Sequence, residues 1–168
     1  MKKPVYLILA VARNGAMGLR GGLPWRLPDE WKYFLGKTRG GILIQGRHCQ
    51  DNHGRPLPER EVIVLSRNLE YVPPAGARLA HSLPEALKMA QESAHVGPIW
   101  IGGGLEIYRE SLPLADRVYL TVIDADFEAD TFMPLETFAR AGFTKLVEEH
   151  PGPAGPVPYV FKVLAREG

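Results

Sequence analysis

The stretch VYLILAVA, Val5 to Ala12, decides the fold class. Eight consecutive residues without a charge leave no polar face for water, so the segment reads as a strand buried on both sides. Strands of that kind belong to parallel sheets with helices packed on their faces. Downstream, a glycine-rich loop runs from Asn14 to Gly22 and ends in Leu23-Pro24-Trp25. Pro28 suits the first position of a helix, with Asp29 and Glu30 in the acid-favouring first turn. Trp31, Phe34 and Leu35 give that helix an apolar stripe.

The same alternation continues. Ile42 to Gln45 reads as a strand that ends at Gly46-Arg47 in a turn to a short helix, and Glu61 to Ser66 as another strand. Ser82 and Glu85 form a capping box around Pro84, opening a helix whose apolar face is Leu83, Ala86, Leu87 and Ala90. Pro98 to Ile101 is a strand running into Gly102-Gly103-Gly104, with a helix from Leu105 to Leu112. Arg117 to Ile123 and Phe143 to Val147 read as strands. His150 to Pro158 reads as a loop, and Tyr159 to Leu164 as a last strand paired back on its predecessor. The expected fold is α/β: one domain over residues 1–168, a mostly parallel central sheet flanked by helices, and a C-terminal antiparallel hairpin.

Composition bounds the function. The 168 residues are 45% hydrophobic and 23% charged, which excludes wholesale disorder. Twenty Lys and Arg against nineteen Asp and Glu leave a formal charge of +1, which argues against a nucleic-acid partner. A single cysteine, Cys49, rules out an internal disulfide and fits a reducing compartment. The two lysines and short apolar run at the start are too brief for a signal peptide, and no stretch is long enough to span a membrane. A cytoplasmic protein is expected.

Strand, glycine loop and helix invite a dinucleotide reading, yet Gly15, Gly18, Gly21 and Gly22 never make G-x-G-x-x-G. Gly102-Gly103-Gly104 does stand between strand and helix. It suits either phosphate binding at a helix start or a tight strand-to-helix turn. The acidic series Asp124, Asp126, Glu128 and Asp130 lacks the glycine and terminal Glu of a calcium loop, and the five histidines show no ligand spacing, so no metal site is expected. Glu30 is more informative. A first-turn glutamate ordinarily needs no explanation beyond the helix dipole, but Phe34 lies one helical turn on and Thr38 two. A carboxylate beside aromatic rings suits a flat amidine-like edge held through two parallel hydrogen bonds. Desolvation raises the pKa of such a group, while a helix N-terminus and a cationic ligand lower it.

These residues resemble the dihydrofolate reductase family. Its signature reads here as Gly18, Leu23-Pro24-Trp25, Glu30, Phe34 and Thr38. Further matches follow in order: Gly46-Arg47-His48, Gly54-Arg55-Pro56-Leu57-Pro58, Arg60, Ser66-Arg67, Gly103-Gly104 before Glu106-Ile107-Tyr108, Leu120-Thr121, and Asp130-Thr131 with Pro134. The likeness covers almost the whole chain.

The resemblance implies reduction of 7,8-dihydrofolate, with NADPH giving a hydride to C6 while N5 gains a proton. It assigns catalysis to Glu30 and Trp25, and the pterin pocket to Ile8, Leu9, Ala10, Glu30, Trp31, Phe34, Leu57 and Thr121. Arg60 would pair with the substrate's α-carboxylate, which a guanidinium can grip bidentately. NADPH would meet Ala10, Met17, Gly18, Gly46, Arg47, His48 and Cys49 on one side, and Gly103, Gly104, Leu105, Glu106, Ile107, Tyr108 and Thr131 on the other. Leu65, Ser66, Arg67 and His81 fall at its adenosine end, in a lobe spanning roughly 41–100, with Arg47 and Arg67 clamping the 2′-phosphate. Asn14 to Leu23 would close over the nicotinamide, steadied by Asp130. The partner is a small-molecule substrate, and a monomer is expected.

Three departures stand out. Cys49 replaces a hydroxyl more usual in the family, Trp31 is bulkier than the common residue, and Gly102 replaces an apolar side chain beside the pterin. Two rival readings remain at this point: a related reductase acting on a pyrimidine intermediate of riboflavin synthesis, and a noncatalytic NADPH-binding module. The first would be expected to lack Pro-Trp, Glu30 and Arg60 together, and in the second the carboxylate would be dispensable.

Overall fold

In the computed structural model, which describes residues 2–167, the apolar run forms β1 (Val5–Ala12) in the interior of the sheet. It is followed by β2 (Ala16–Gly18), α1 (Pro28–Thr38), β3 (Ile42–Gly46), α2 (Arg47–His53), β4 (Glu61–Leu65), β5 (Ala77–Ala80), α3 (Leu83–Glu92), β6 (Ile99–Ile101) and α4 (Leu105–Ser111). A 3₁₀ turn (Leu112–Leu114) leads to β7 (Arg117–Ile123), β8 (Thr131–Phe132), α5 (Glu136–Arg140), β9 (Lys145–Pro151) and β10 (Tyr159–Ala165).

Eight strands make one sheet in the order β5-β4-β3-β6-β1-β7-β10-β9. The pairings from β5 to β7 are all parallel, and β10 joins β7 and β9 antiparallel. The α/β expectation therefore holds, with the antiparallel hairpin added at one edge. The core is built from β1, β3, β4, β6 and β7 with the buried faces of α3 and α4, including Leu7, Val11, Ile44, Ile63, Ala86 and Ile101. On α3, Ser82 accepts the Glu85 amide at 3.2 Å, as the capping box requires, while the Glu85 carboxylate takes the His81 amide at 2.8 Å.

The hairpin differs from its expected bounds. Phe143 does not start a strand: it is buried, and its amide bonds to Phe138 O at 2.9 Å as the chain leaves α5. The strand begins at Lys145 and runs through His150 and Pro151, which were read as loop. Proline is tolerated there because β9 is an edge strand, where a missing N–H need not break a ladder. Three short elements have no sequence counterpart: β5, α5, and the two-stranded sheet formed by β2 and β8.

Candidate active site

Glu30 sits in the first turn of α1 and is buried, only 7% exposed. Burial drives its carboxyl from 4.5 to about 7, and a hydrogen bond from the Thr121 hydroxyl opposes the rise. Thr121 lies on β7 directly beside Ala10 of β1, so the strand pairing brings the helix carboxyl over the centre of the sheet. Trp25 is also buried, edge-on to Phe127 at 5.4 Å, and its Nε1 finds no hydrogen-bond partner among the described residues. Ile8 joins Leu43 and Trp100 in a cluster against which Phe34 and Leu57 pack. Trp31 stacks on Phe34, with ring centres 5.1 Å apart and planes 19° from parallel.

Thr38, two turns on from Glu30, is buried and bonded to Arg60. Its hydroxyl donates to Phe34 O at 2.9 Å and accepts from Arg60 Nη1. Arg60 also donates from Nη1 to Leu35 O at 3.0 Å and from Nε to Pro58 O at 2.8 Å. These bonds satisfy a carbonyl near the end of α1 and hold the guanidinium in place. Only Nη2 stays outside these bonds, so the full two-nitrogen fork expected for Arg60 is half engaged within the protein. Burial lowers the Arg60 pKa, with Arg39 adding to the effect.

On the other side of the cleft, β3 and β6 run into α2 and α4. The Gly46 amide donates to Gly103 O at 2.7 Å, and the Gly102 amide to Ile44 O at 2.9 Å, which sets the two helix starts side by side. The Gly103-Gly104 peptide is cis. A Cβ at Gly46 would stand 3.1 Å from Ile107 Cδ1, and one at Gly103 would stand 3.1 Å from Cys49 Sγ. Side chains here would fill the cradle. Burial pushes the Cys49 thiol up, away from a reactive thiolate. Tyr108 is buried and spends its hydroxyl on Ile8 O at 2.8 Å, tying α4 to β1.

At the end of β4, Ser66 is buried and its carbonyl lies 3.4 Å from His81 Nδ1. Arg67 borders a cleft with Glu106, Arg109 and Glu110. The Arg47 guanidinium lies 4.7 Å over the Tyr71 ring and 3.5 Å from Asp51. His48 is exposed, while Leu65, Leu105 and Ile107 pack against the core.

The glycine loop is fastened to the segment before β8. Gly18 pairs with Thr131. Asp130 accepts the Arg20 amide at 2.8 Å and the Thr131 hydroxyl at 3.0 Å, and its own amide donates to Gly18 O at 3.0 Å. The Arg20 amide is the main reason the Asp130 carboxyl lies below its ordinary value. Met17 packs against the core from this loop, and Leu9 is buried within it.

Some site neighbours escaped the sequence reading. His53 at the end of α2 is half-buried, with its ring 5.4 Å from Trp31, and burial and the charge of Arg60 push its pKa down. Asn52 donates to Gly21 O, bridging α2 to the glycine loop. The available hint was their position just before the segment carrying Leu57 and Arg60. Among the described residues, no three His, Cys, Asp or Glu side chains are grouped to hold a metal ion, and no helix is long and apolar enough to cross a membrane.

A buried carboxyl beside aromatic rings, and two glycine-fronted helix starts set side by side, are the parts of a site for a flat heterocycle and a phosphorylated nucleotide on an α/β sheet. The family model for dihydrofolate reductase matches residues 4–166. Dihydrofolate reductase type 3 of Salmonella typhimurium is 39% identical over 130 residues, covering 77% of this chain and 78% of that protein. The Rattus norvegicus dihydrofolate reductase is 37% identical, covering 90% of this chain and 88% of its own. Among solved structures, dihydrofolate reductase from Enterococcus faecalis, complexed with NADP(H) and RAB-propyl, superposes with a TM-score of 0.86 at 32% identity. That match covers 98% of this chain and 97% of the other. The chain belongs to the dihydrofolate reductase family.

Proposed function

We propose that this chain is an NADPH-dependent reductase that converts 7,8-dihydrofolate to 5,6,7,8-tetrahydrofolate, with Glu30 as the residue that orients the pterin and manages its proton. The observation that carries the assignment of Glu30 is its buried carboxyl, held near neutrality beside Thr121 and a wall of aromatic rings. A nucleotide fits the other side of the cleft because a Cβ at Gly104, just before α4, would meet nothing within 4 Å, so the backbone there is open to a phosphate.

Bound NADPH supplies the hydride for C6 of the substrate. The remaining work belongs to side chains of this chain. Ionised, Glu30 accepts two parallel hydrogen bonds from N3 and the 2-amino group of the pterin. With a pKa of about 7 it exists in both protonation states at neutral pH, which suits a group drawing a proton through water toward N5. The unpartnered Trp25 Nε1 offers a donor for that water. Phe34, Trp31 and Leu57 shield the ring from solvent, and Arg60 Nη2 faces the acidic tail. Residues roughly 41–100 serve the adenosine end, with Arg67 as the reader of the 2′-phosphate.

The same reading has the enzyme working as a monomer in the cytoplasm, and its single free thiol suits a reducing compartment. Absorbance near 340 nm tests the activity: it should fall when NADPH and dihydrofolate are both present and hold steady when either is omitted. A folded protein that leaves the signal unchanged with both present would defeat the proposal. Turnover confined to a pyrimidine intermediate of riboflavin synthesis would replace it.

A further inference from the structure

Gly102 is a glycine for want of space rather than for its backbone. Its neighbour Gly103 has a φ of +114°, where side chains are strained, but Gly102 lies outside that region. A Cβ at residue 102 would stand 2.8 Å from Leu43 Cδ1 and 3.7 Å from two ring carbons of Phe34. Leu43 is itself fully buried, in one cluster with Ile8 and Trp100. Phe34 in turn is stacked on Trp31, whose ring centre also lies 5.4 Å from that of His53. Gly102, Phe34, Trp31 and His53 are thus linked in a row of successive contacts. Volume added at one end must be taken from the other end or from the cleft itself.

We infer that Gly102 and Trp31 are a compensating pair that sets the width of the substrate pocket. With no side chain at residue 102, Phe34 packs close to the end of β6, and the indole of Trp31 stacks on it from α1. Gly102 is therefore a specificity-determining residue, acting through Phe34 on the pterin side of the cleft. The inference rests on the reading that this cleft takes dihydrofolate.

The test is a double-mutant cycle on the full chain with Gly102→Ile, Trp31→Phe and both together, plus Gly102→Ala as a milder probe of Leu43 alone. Overpacking of this kind should raise the KM for dihydrofolate about tenfold or more in Gly102→Ile, with a smaller change in the KM for NADPH. Gly102→Ala should move the KM for dihydrofolate only a few-fold. In the Trp31→Phe background, Gly102→Ile should cost much less, bringing KM to within about threefold of Trp31→Phe alone. Melting temperatures of the same four apoproteins read the packing with no substrate present, so the cycle remains informative even if dihydrofolate is not turned over. Failure of turnover in the unmodified chain would defeat the functional reading, whereas additive effects in both cycles would overturn the pairing. A KM for NADPH that rises in step with that for dihydrofolate would also overturn it. Should Gly102→Ile not fold, Gly102→Val, whose side chain also extends past Cβ toward Phe34, takes its place in the same cycle with Trp31→Phe.

Discussion

Glu30→Gln should make the apoprotein more stable, and should do so increasingly as the pH rises. The carboxyl moves from 4.5 when unfolded to about 7 when folded, chiefly because it is buried. Between those values the folded state binds more protons than the unfolded state, so stability falls with rising pH. The favourable contribution of the neutral acid is fully present below 4.5 and is lost as the pH passes through about 7. At roughly 1.4 kcal/mol per pH unit of pKa difference, the charged carboxylate costs about 3 kcal/mol above neutrality. Glutamine has nearly the same shape and no charge, so it escapes that cost. For a domain of this size, about 3 kcal/mol corresponds to roughly 6–12 °C in Tm. Thermal melts of the two apoproteins from pH 5 to pH 9 provide the assay. The curves should lie close together at pH 5 and separate by that order at pH 8 and above, with the variant higher. A constant offset across the range, or a variant that melts lower at pH 8, would refute the claim that burial of this carboxyl dominates its energetics.

The same substitution should lower the reductase rate at pH 7 by about 10²–10⁴, the usual worth of positioned acid–base help, with recovery as the pH falls and little change in NADPH binding. A near-normal rate at pH 7 would remove Glu30 from the mechanism. Arg67→Ala should weaken NADPH about ten- to a hundredfold while affecting NADH far less; Arg47→Ala should discriminate less, because Arg47 is engaged with Tyr71 and Asp51, and titrations with both cofactors check the ranking. Cys49→Ser should keep activity within a small factor, since burial holds the thiol protonated, and total loss in a folded variant would expose a role for sulfur. Asp130→Ala should slow hydride transfer in single-turnover measurements more than it weakens NADPH, because it frees the Arg20 amide and loosens the glycine loop; an unchanged hydride rate would show that this contact does not govern loop placement.

Much of the fold was legible because its interior strands are doubly buried and say so in unbroken apolar runs, as in Val5 to Ala12 and Val62 to Leu65. The peripheral elements carry no such signal. β5 is four residues, Ala-Arg-Leu-Ala, and α5 is five, both too short for a period to declare itself. β9, sequence KLVEEHP, is largely exposed along its length, so it resembles loop. Phe143 misled in the opposite direction, since an aromatic at a helix exit looks like the start of a strand. Within the site, Glu30 could be singled out from helical spacing and its aromatic neighbours. The employment of Thr38 by Arg60, and the approach of His53 to Trp31, depend on how the segment before β4 folds back on α1, and no local pattern encodes that. Gly102 shows the limit most clearly: three glycines in a row look alike, yet one is required by backbone conformation and its neighbour by a leucine side chain elsewhere in the chain.

The place of β1 in the sheet has a consequence for how the molecule comes to exist. Its partners are β6, at residues 99–101, and β7, at residues 117–123. As the ribosome makes the chain, the most apolar strand emerges long before either neighbour. For that interval neither of its two hydrogen-bonding edges is paired. Such distant pairing slows folding, because the chain must close large loops before any contact rewards it. A nascent chain in that state is prone to aggregate and is a natural client for chaperones. Refolding from denaturant should therefore show yields that fall with protein concentration, even where the finished enzyme is stable.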